Sequence, residues 1–176
     1  MNLQLLQDTP IVSVYYDSQN DWLFSDWRGD LSLAQVQAGC LTIAQCFLER
    51  TYPRILNNNT DVTGMSASTP KWLARDYLPH LGLAGIEYIA WVCAPNLLLK
   101  HLANESIQQL RTPMVAMFDD LADAYAWLQH TRVTHPGDML PYRTAEQQAE
   151  LSQRVAMLSQ ELAHYDQTAG RPVRQV

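Results

Sequence analysis

The chain has 176 residues, enough for one domain with a full hydrophobic core and too few for two. A formal charge of −6 and a pI near 5.2, with only twelve Lys and Arg spread along the chain, exclude a general surface for nucleic acid or anionic membrane, so no nucleic-acid partner is expected. No apolar run reaches membrane-span length, and Met1 to Asp8 has neither a basic start nor a long apolar centre, so the expectation is a cytoplasmic protein with no membrane span.

Ile11 to Asp17 and Trp22 to Arg28 are strand-like runs separated by the turn-rich Ser18-Gln19-Asn20-Asp21, which predicts a hairpin and an antiparallel start to the sheet. After Gly29 the period changes. Leu33, Val36, Cys40, Ile43, Ala44 and Phe47 recur at three and four residues, with Asp30 or Ser32 placed to cap, and predict a long helix ending near Arg50. Pro53 blocks its continuation. Arg54 to Asn57 then reads as a short strand, and Asn58 to Gly64 as a polar loop at its carboxyl end.

Ser68 or Thr69, followed by Pro70, opens a second helix carrying Trp72, Leu73 and Tyr77, which Pro79, Gly82 and Gly85 bring to an end. Gly85 to Ala94 is the most apolar stretch, rich in β-branched and aromatic residues. It predicts an interior strand covered on both faces, with Trp91 buried. Pro95 and Asn96 open a third helix with Leu98, Leu99, Leu102 and Ile107, Met114 to Phe118 form the last strand, and Asp119 or Asp120 caps a fourth helix with Leu121, Ala124, Tyr125 and Leu128. The predicted fold is α/β, with a mostly parallel five-stranded sheet that begins as an antiparallel hairpin and a C-terminal helical extension.

The boundaries are residues 1–131 for the α/β domain, 132–142 for a linker with two prolines and a glycine, and 143–176 for a final helix and tail. Within that helix Leu151, Val155, Leu158, Leu162 and Tyr165 form a narrow apolar seam like those between paired helices. The seam must be covered either by its own domain or by a second copy; a homodimer is favoured.

Cys40, Cys46 and Cys93 make an odd number at spacings that suit neither a metal pair nor a disulfide, and they read as buried free thiols. His80, His101, His130, His135 and His164 lack ligand spacings, so no metal is expected; nor does any phosphate loop or nucleophile elbow appear, and no cofactor is expected. Asp119, Asp120 and Asp123 are explained by helix capping rather than by acid–base work. The amide and hydroxyl cluster Asn57, Asn58, Asn59, Thr60, Asp61 and Thr63 is a candidate for orienting a ligand's polar head, with Trp72, Tyr77 and Trp91 as apolar wall. Asparagines that make turns and satisfy backbone groups are the alternative.

The chain resembles the SpoIIAA-like group, which includes STAS domains and related Sec14-type folds, and especially small bacterial STAS/SEC14 domain-containing proteins. The resemblance runs from about Ile11 to His130. It rests on Tyr15-Tyr16-Asp17 with Trp22-Leu23-Phe24, Trp27-Arg28-Gly29, Val36 to Cys40, Ile55 to Asn59 with Val62-Thr63-Gly64, Ala90-Trp91-Val92, and Phe118 to Ala124 with Trp127-Leu128. It implies a superhelix of strand–helix units without catalytic machinery, acting as a regulatory interaction module or binding an apolar ligand. Anti-sigma-factor antagonists of this fold carry an Asp-Ser-Ser-Gly-type segment with a phosphorylatable serine. Here that neighbourhood holds Thr63, Ser66 and Ser68 without the motif. The resulting expectation is a non-catalytic regulatory or small-molecule-binding module acting through protein–protein interaction. An apolar-ligand carrier, a phosphorylation switch and an enzyme stand as alternatives.

Overall fold

The structure, a computed structural model, describes residues 1–93, 112–134 and 144–169, with side chains of the last helix described through residue 163. Six strands lie in one sheet in chain order: β1 (Leu3–Asp8), β2 (Val12–Asp17), β3 (Trp22–Leu31), β4 (Arg54–Met65), β5 (Tyr88–Val92) and β6 (Met114–Phe118). β1, β2 and β3 are antiparallel neighbours, and β3 to β6 run parallel. The mostly parallel sheet with its antiparallel start is as expected, but it has one strand more. β1 escaped the sequence reading because it contains no β-branched or aromatic residue, is bulged between Leu5 and Gln7, and leaves Leu3 and Leu5 41% and 53% exposed at the sheet's edge.

The second difference lies in β4. The polar run after Asn57 is strand, not loop, and stays paired with β3 as far as Leu31↔Met65. Three consecutive asparagines are tolerated in a sheet interior because each side chain has a hydrogen-bond partner on β3 or β5, as described below, and because Val62 sinks into the core.

Helix α1 (Leu33–Glu49) begins at Ser32, whose Oγ accepts from the Gln35 amide while the Gln35 side chain accepts from the Ser32 amide. Its inward face, Val36, Cys40, Ile43 and Phe47, covers one side of the sheet together with a helical stretch after β4. That stretch is α2 (Thr69–Trp72), a π-helical turn (Leu73–Tyr77) and α3 (Leu78–Leu81). The π turn precedes Pro79, which has no amide proton to give to Arg75 four residues earlier; the widened register, with the Leu78 amide on the Leu73 carbonyl, carries the chain past this break. The opposite face of the sheet packs Trp22, Phe24, Leu56, Ala90 and Val92 against Ala124 and Leu128 of α4 (Leu121–His130), which Asp120 caps by accepting from the Ala122 and Asp123 amides. The predicted third helix, with Leu98, Leu99, Leu102 and Ile107, lies outside the described residues.

β5 is interior and has apolar cover on both faces, Ile89 to one side and Ala90 and Val92 to the other. Trp91, expected to be buried, is only partly so; it packs against the α1 core and also borders a cavity.

The last helix, α5 (Ala145–Ala169), starts with a second reciprocal cap between Thr144 and Gln147. Its seam meets the chain's own surface first. Leu151 and Val155 are 4% and 8% exposed and join the α1 core, whereas Leu158 and Leu162 are half-buried; the Tyr165 side chain lies outside the described residues. The expectation favoured a second copy for the whole seam, but two of its residues are occupied within the chain, and the α1 surface beside Ala44 and Phe47 is apolar enough to take them.

Leu151→Ala is expected to cost about 2–5 kcal/mol in urea unfolding with an unchanged slope. A loss below about 0.5 kcal/mol would mean that α5 is not held to the domain.

Candidate functional site

The α1-facing side of the sheet carries a polar line. Asn57 of β4 sits opposite Ser25 of β3 and Trp91 of β5. Its Oδ1 accepts from Ser25 Oγ at 2.7 Å and from Trp27 Nε1 at 2.8 Å. An indole N–H can only donate, so the carbonyl end of the amide must face β3. The Nδ2 end then points away from β3, where it is fully buried with no hydrogen-bond partner among the described residues. Two residues on, Asn59 donates through Nδ2 to the Val92 carbonyl at 2.8 Å, holding the end of β5. Asn58 faces the other way and donates to Asp26 Oδ1 at 2.8 Å.

Above this line lie two spaces. The inner one is a cavity of about 30 Å³ bordered by Trp27, Cys40, Asn57, Asn59, Tyr77 and Trp91. The outer one is a cleft of about 890 Å³ between α1, the α2–α3 stretch and α5; its wall includes Phe47, Trp72, Leu151, Val155 and Leu158. Tyr77 and Leu81 border both, so a single layer of side chains separates them. Trp72 and Tyr77 stack with ring centroids 5.8 Å apart and planes within 15°, and Tyr77 Oη donates to the Cys40 carbonyl at 3.2 Å. Asp76, His80, Arg154 and Glu161 stand along the outer cleft.

Burial is the first cause of the acid–base shifts in and near these walls. Burial pushes the Tyr77 hydroxyl and the Cys40 thiol well above their ordinary ranges, and it raises Cys46 to about 11, with Glu49 adding to the effect. A thiolate nucleophile needs the opposite shift. His80 is lowered, first by burial and then by Arg154, while Asp76 and Glu150 pull the other way.

Of the residues singled out in the sequence, the fold brings Asn57, Asn59, Tyr77 and Trp91 together around the inner cavity and puts Trp72 beside Tyr77 in the cleft. Asn58 is on the opposite face, Asp61 and Thr63 are exposed, and Thr60, Asp61 and Thr63 border neither space. Ser66 and Ser68 hydrogen-bond to one another through their hydroxyls at 3.0 Å. The sequence reading missed Trp27, which orients Asn57, and missed His80 and Arg154. Trp27 was legible as a strand residue and as part of the Trp27-Arg28-Gly29 motif; its bond to Asn57 comes only from β3–β4 pairing.

The SpoIIAA-like family model matches residues 23–129, more than half of the chain, and the chain belongs to that family. Among solved structures it is similar to a DUF3478-family protein with a SpoIIAA-like fold from Shewanella loihica PV-4, at 17% identity over 71% of this chain and 99% of that one, with a TM-score of 0.46. It is also similar to apo-SiaC from Pseudomonas aeruginosa, at 17% identity over 66% of this chain and 98% of that one, with a TM-score of 0.41. No curated protein matches it. Among the described residues, no helix is long and apolar enough to cross a membrane, and no three His, Cys, Asp or Glu side chains cluster as metal ligands would.

The lowered His80 value has a stability consequence with a definite sign. The unfolded chain takes up this proton near the ordinary 6.5, the folded chain only at lower pH, so the stability associated with neutral His80 is whole above 6.5 and falls as the pH drops below it. His80→Gln should therefore flatten the decline in melting temperature between pH 7 and pH 5. An identical decline in wild type and variant would remove His80 from the account.

Proposed function

We propose that the protein is a non-catalytic module that binds an apolar small molecule in the cleft between α1, the α2–α3 stretch and α5. The observation that carries this reading is the cleft itself. Its volume of about 890 Å³ falls within the range of about 300–1,000 Å³ usual for ligand sites, and a stacked aromatic pair, Trp72 and Tyr77, stands in its wall. An apolar occupant is favoured because the buried residues of the lining, Phe47, Ala84, Leu151 and Val155, are hydrocarbon, whereas the charged Asp76, Arg154 and Glu161 are exposed and already hydrated.

A regulatory role follows from which element closes the cleft. α5 is polar along most of its length and is held at its first half by Leu151 and Val155, while Leu158 and Leu162 beyond them are half-buried. An occupant touching Leu158 would extend the docked portion of α5 and alter what that helix offers to a partner. The raised thiol and phenol values support the absence of catalysis, since neither group is prepared for nucleophilic or acid–base work. A second copy covering Leu158 and Leu162 is the competing occupant, and the same experiment identifies it.

Native mass spectrometry of freshly purified protein, followed by titration with N-phenyl-1-naphthylamine, tests the reading. A monomer that retains a small molecule or binds the probe one to one, with affinity at least about tenfold weaker in Trp72→Ala, is the expected result. A dimer whose cleft excludes the probe, and which Leu158→Glu converts to a probe-binding monomer, would assign the cleft to self-association instead.

A further inference from the structure

The unpartnered Asn57 amide stands out within the site. A buried donor without an acceptor is costly, and here Asn57 is 94% covered, its Nδ2 has no partner among the described residues, its other end is held by two hydrogen bonds, and the residue borders a cavity. The amide cannot turn over to relieve itself, because the Trp27 indole would then face a second donor. The cavity's volume of about 30 Å³ exceeds the ~10–15 Å³ that one water needs and suits a single carbonyl-sized group. Most of its other walls are apolar, among them Leu31, Val36, Ile43, Ile55, Leu73 and Ile89.

Resting on the ligand-binding reading of the cleft, we propose that the inner cavity is a polar anchor, in which Asn57 Nδ2 donates to the carbonyl oxygen of an uncharged, otherwise apolar ligand whose hydrocarbon body lies in the outer cleft. The charge state follows from the lining. Among the described residues no Lys, Arg or His borders the inner cavity, and the Tyr77 hydroxyl already donates to the Cys40 carbonyl, so an ionised carboxylate would be desolvated against one neutral N–H. A ketone, aldehyde, ester or amide oxygen accepts the same bond without that cost. The path between the two spaces runs past Tyr77 and Leu81, which border both. Tyr77 ends the π turn and is tied by one hydrogen bond of 3.2 Å, so its ring is the side chain whose displacement joins cavity to cleft.

The test compares 2-octanone, octanoate and octane at pH 7 by titration, with the side-chain amide signals of Asn57 and the indole signal of Trp72 followed by NMR. The expected result is that 2-octanone binds about tenfold tighter than either of the others, as one net hydrogen bond would give, and shifts both sets of signals. Asn57→Asp keeps an acceptor for Ser25 and Trp27 but removes the donor, and is expected to bring the ketone to the affinity of octane while leaving octane unchanged. The wild-type amide shift decides the matter even where that variant fails to fold. Ketone and octane binding equally, with Trp72 shifting and Asn57 still, would overturn the anchor and leave the cleft reading standing. Octanoate binding as tightly as the ketone would overturn the preference for an uncharged ligand. Binding of none of the three would overturn the anchor and the cleft together.

Discussion

The hydrogen bond from the Trp27 indole to the Asn57 carboxamide is the interaction on which the α1 side of this protein depends. It joins β3 to β4 by a side-chain bond in addition to their backbone ladder, and it fixes both partners. With its N–H satisfied, the Trp27 ring can lie 5% exposed against α1, where Gly39 leaves room for it; a Cβ at that position would drive into the ring. The same contact therefore sets how closely α1 approaches the sheet, and it turns the other end of the Asn57 amide toward the inner cavity. Losing either partner would leave a buried polar atom exposed to hydrocarbon and remove the spacer between sheet and helix.

From that point outward the packing becomes less complete. Where Val12, Val14 and Leu23 join the α1 core the packing is tight, all three being fully buried. Beside it the helical stretch after β4 is divided by a π turn, and beyond that α5 is held at one end and lies along an open cleft at the other. Local stability follows buried apolar contact, so the order of opening is expected to run from the far half of α5, through the π turn, to the sheet. A ligand chamber placed along that gradient has a rigid back wall and walls able to yield.

Most of the architecture was legible in the sequence, and the reasons can be traced to particular residues. The stripe from Leu33 to Phe47 and the cap at Ser32 determine α1, and the apolar run around Ile89 places β5 in the interior. β1 was hidden because an exposed edge strand needs no alternation. The asparagine run of β4 was hidden because asparagine belongs to turns by local preference. Here the preference is overridden by partners on β3 and β5 that only the folded sheet supplies: Ser25, Trp27 and the Val92 carbonyl. The site was half legible for the same reason. Residue type marked Asn57, Asn59, Trp72, Tyr77 and Trp91 as a group, but strand alternation, invisible while the run was read as loop, sends Asn58 to the opposite face.

The central claim is that the space enclosed by the sheet, α1, the π turn and α5 is a chamber whose filling consolidates its outer walls. Deuterium exchange of the protein with and without saturating 2-octanone measures this directly. The account predicts slower exchange in Leu73–Tyr77 and in the part of α5 around Leu158, with β1 and β2 unchanged. Exchange that is identical in every segment at demonstrated saturation, or slowed only at β1 and β2, would contradict it.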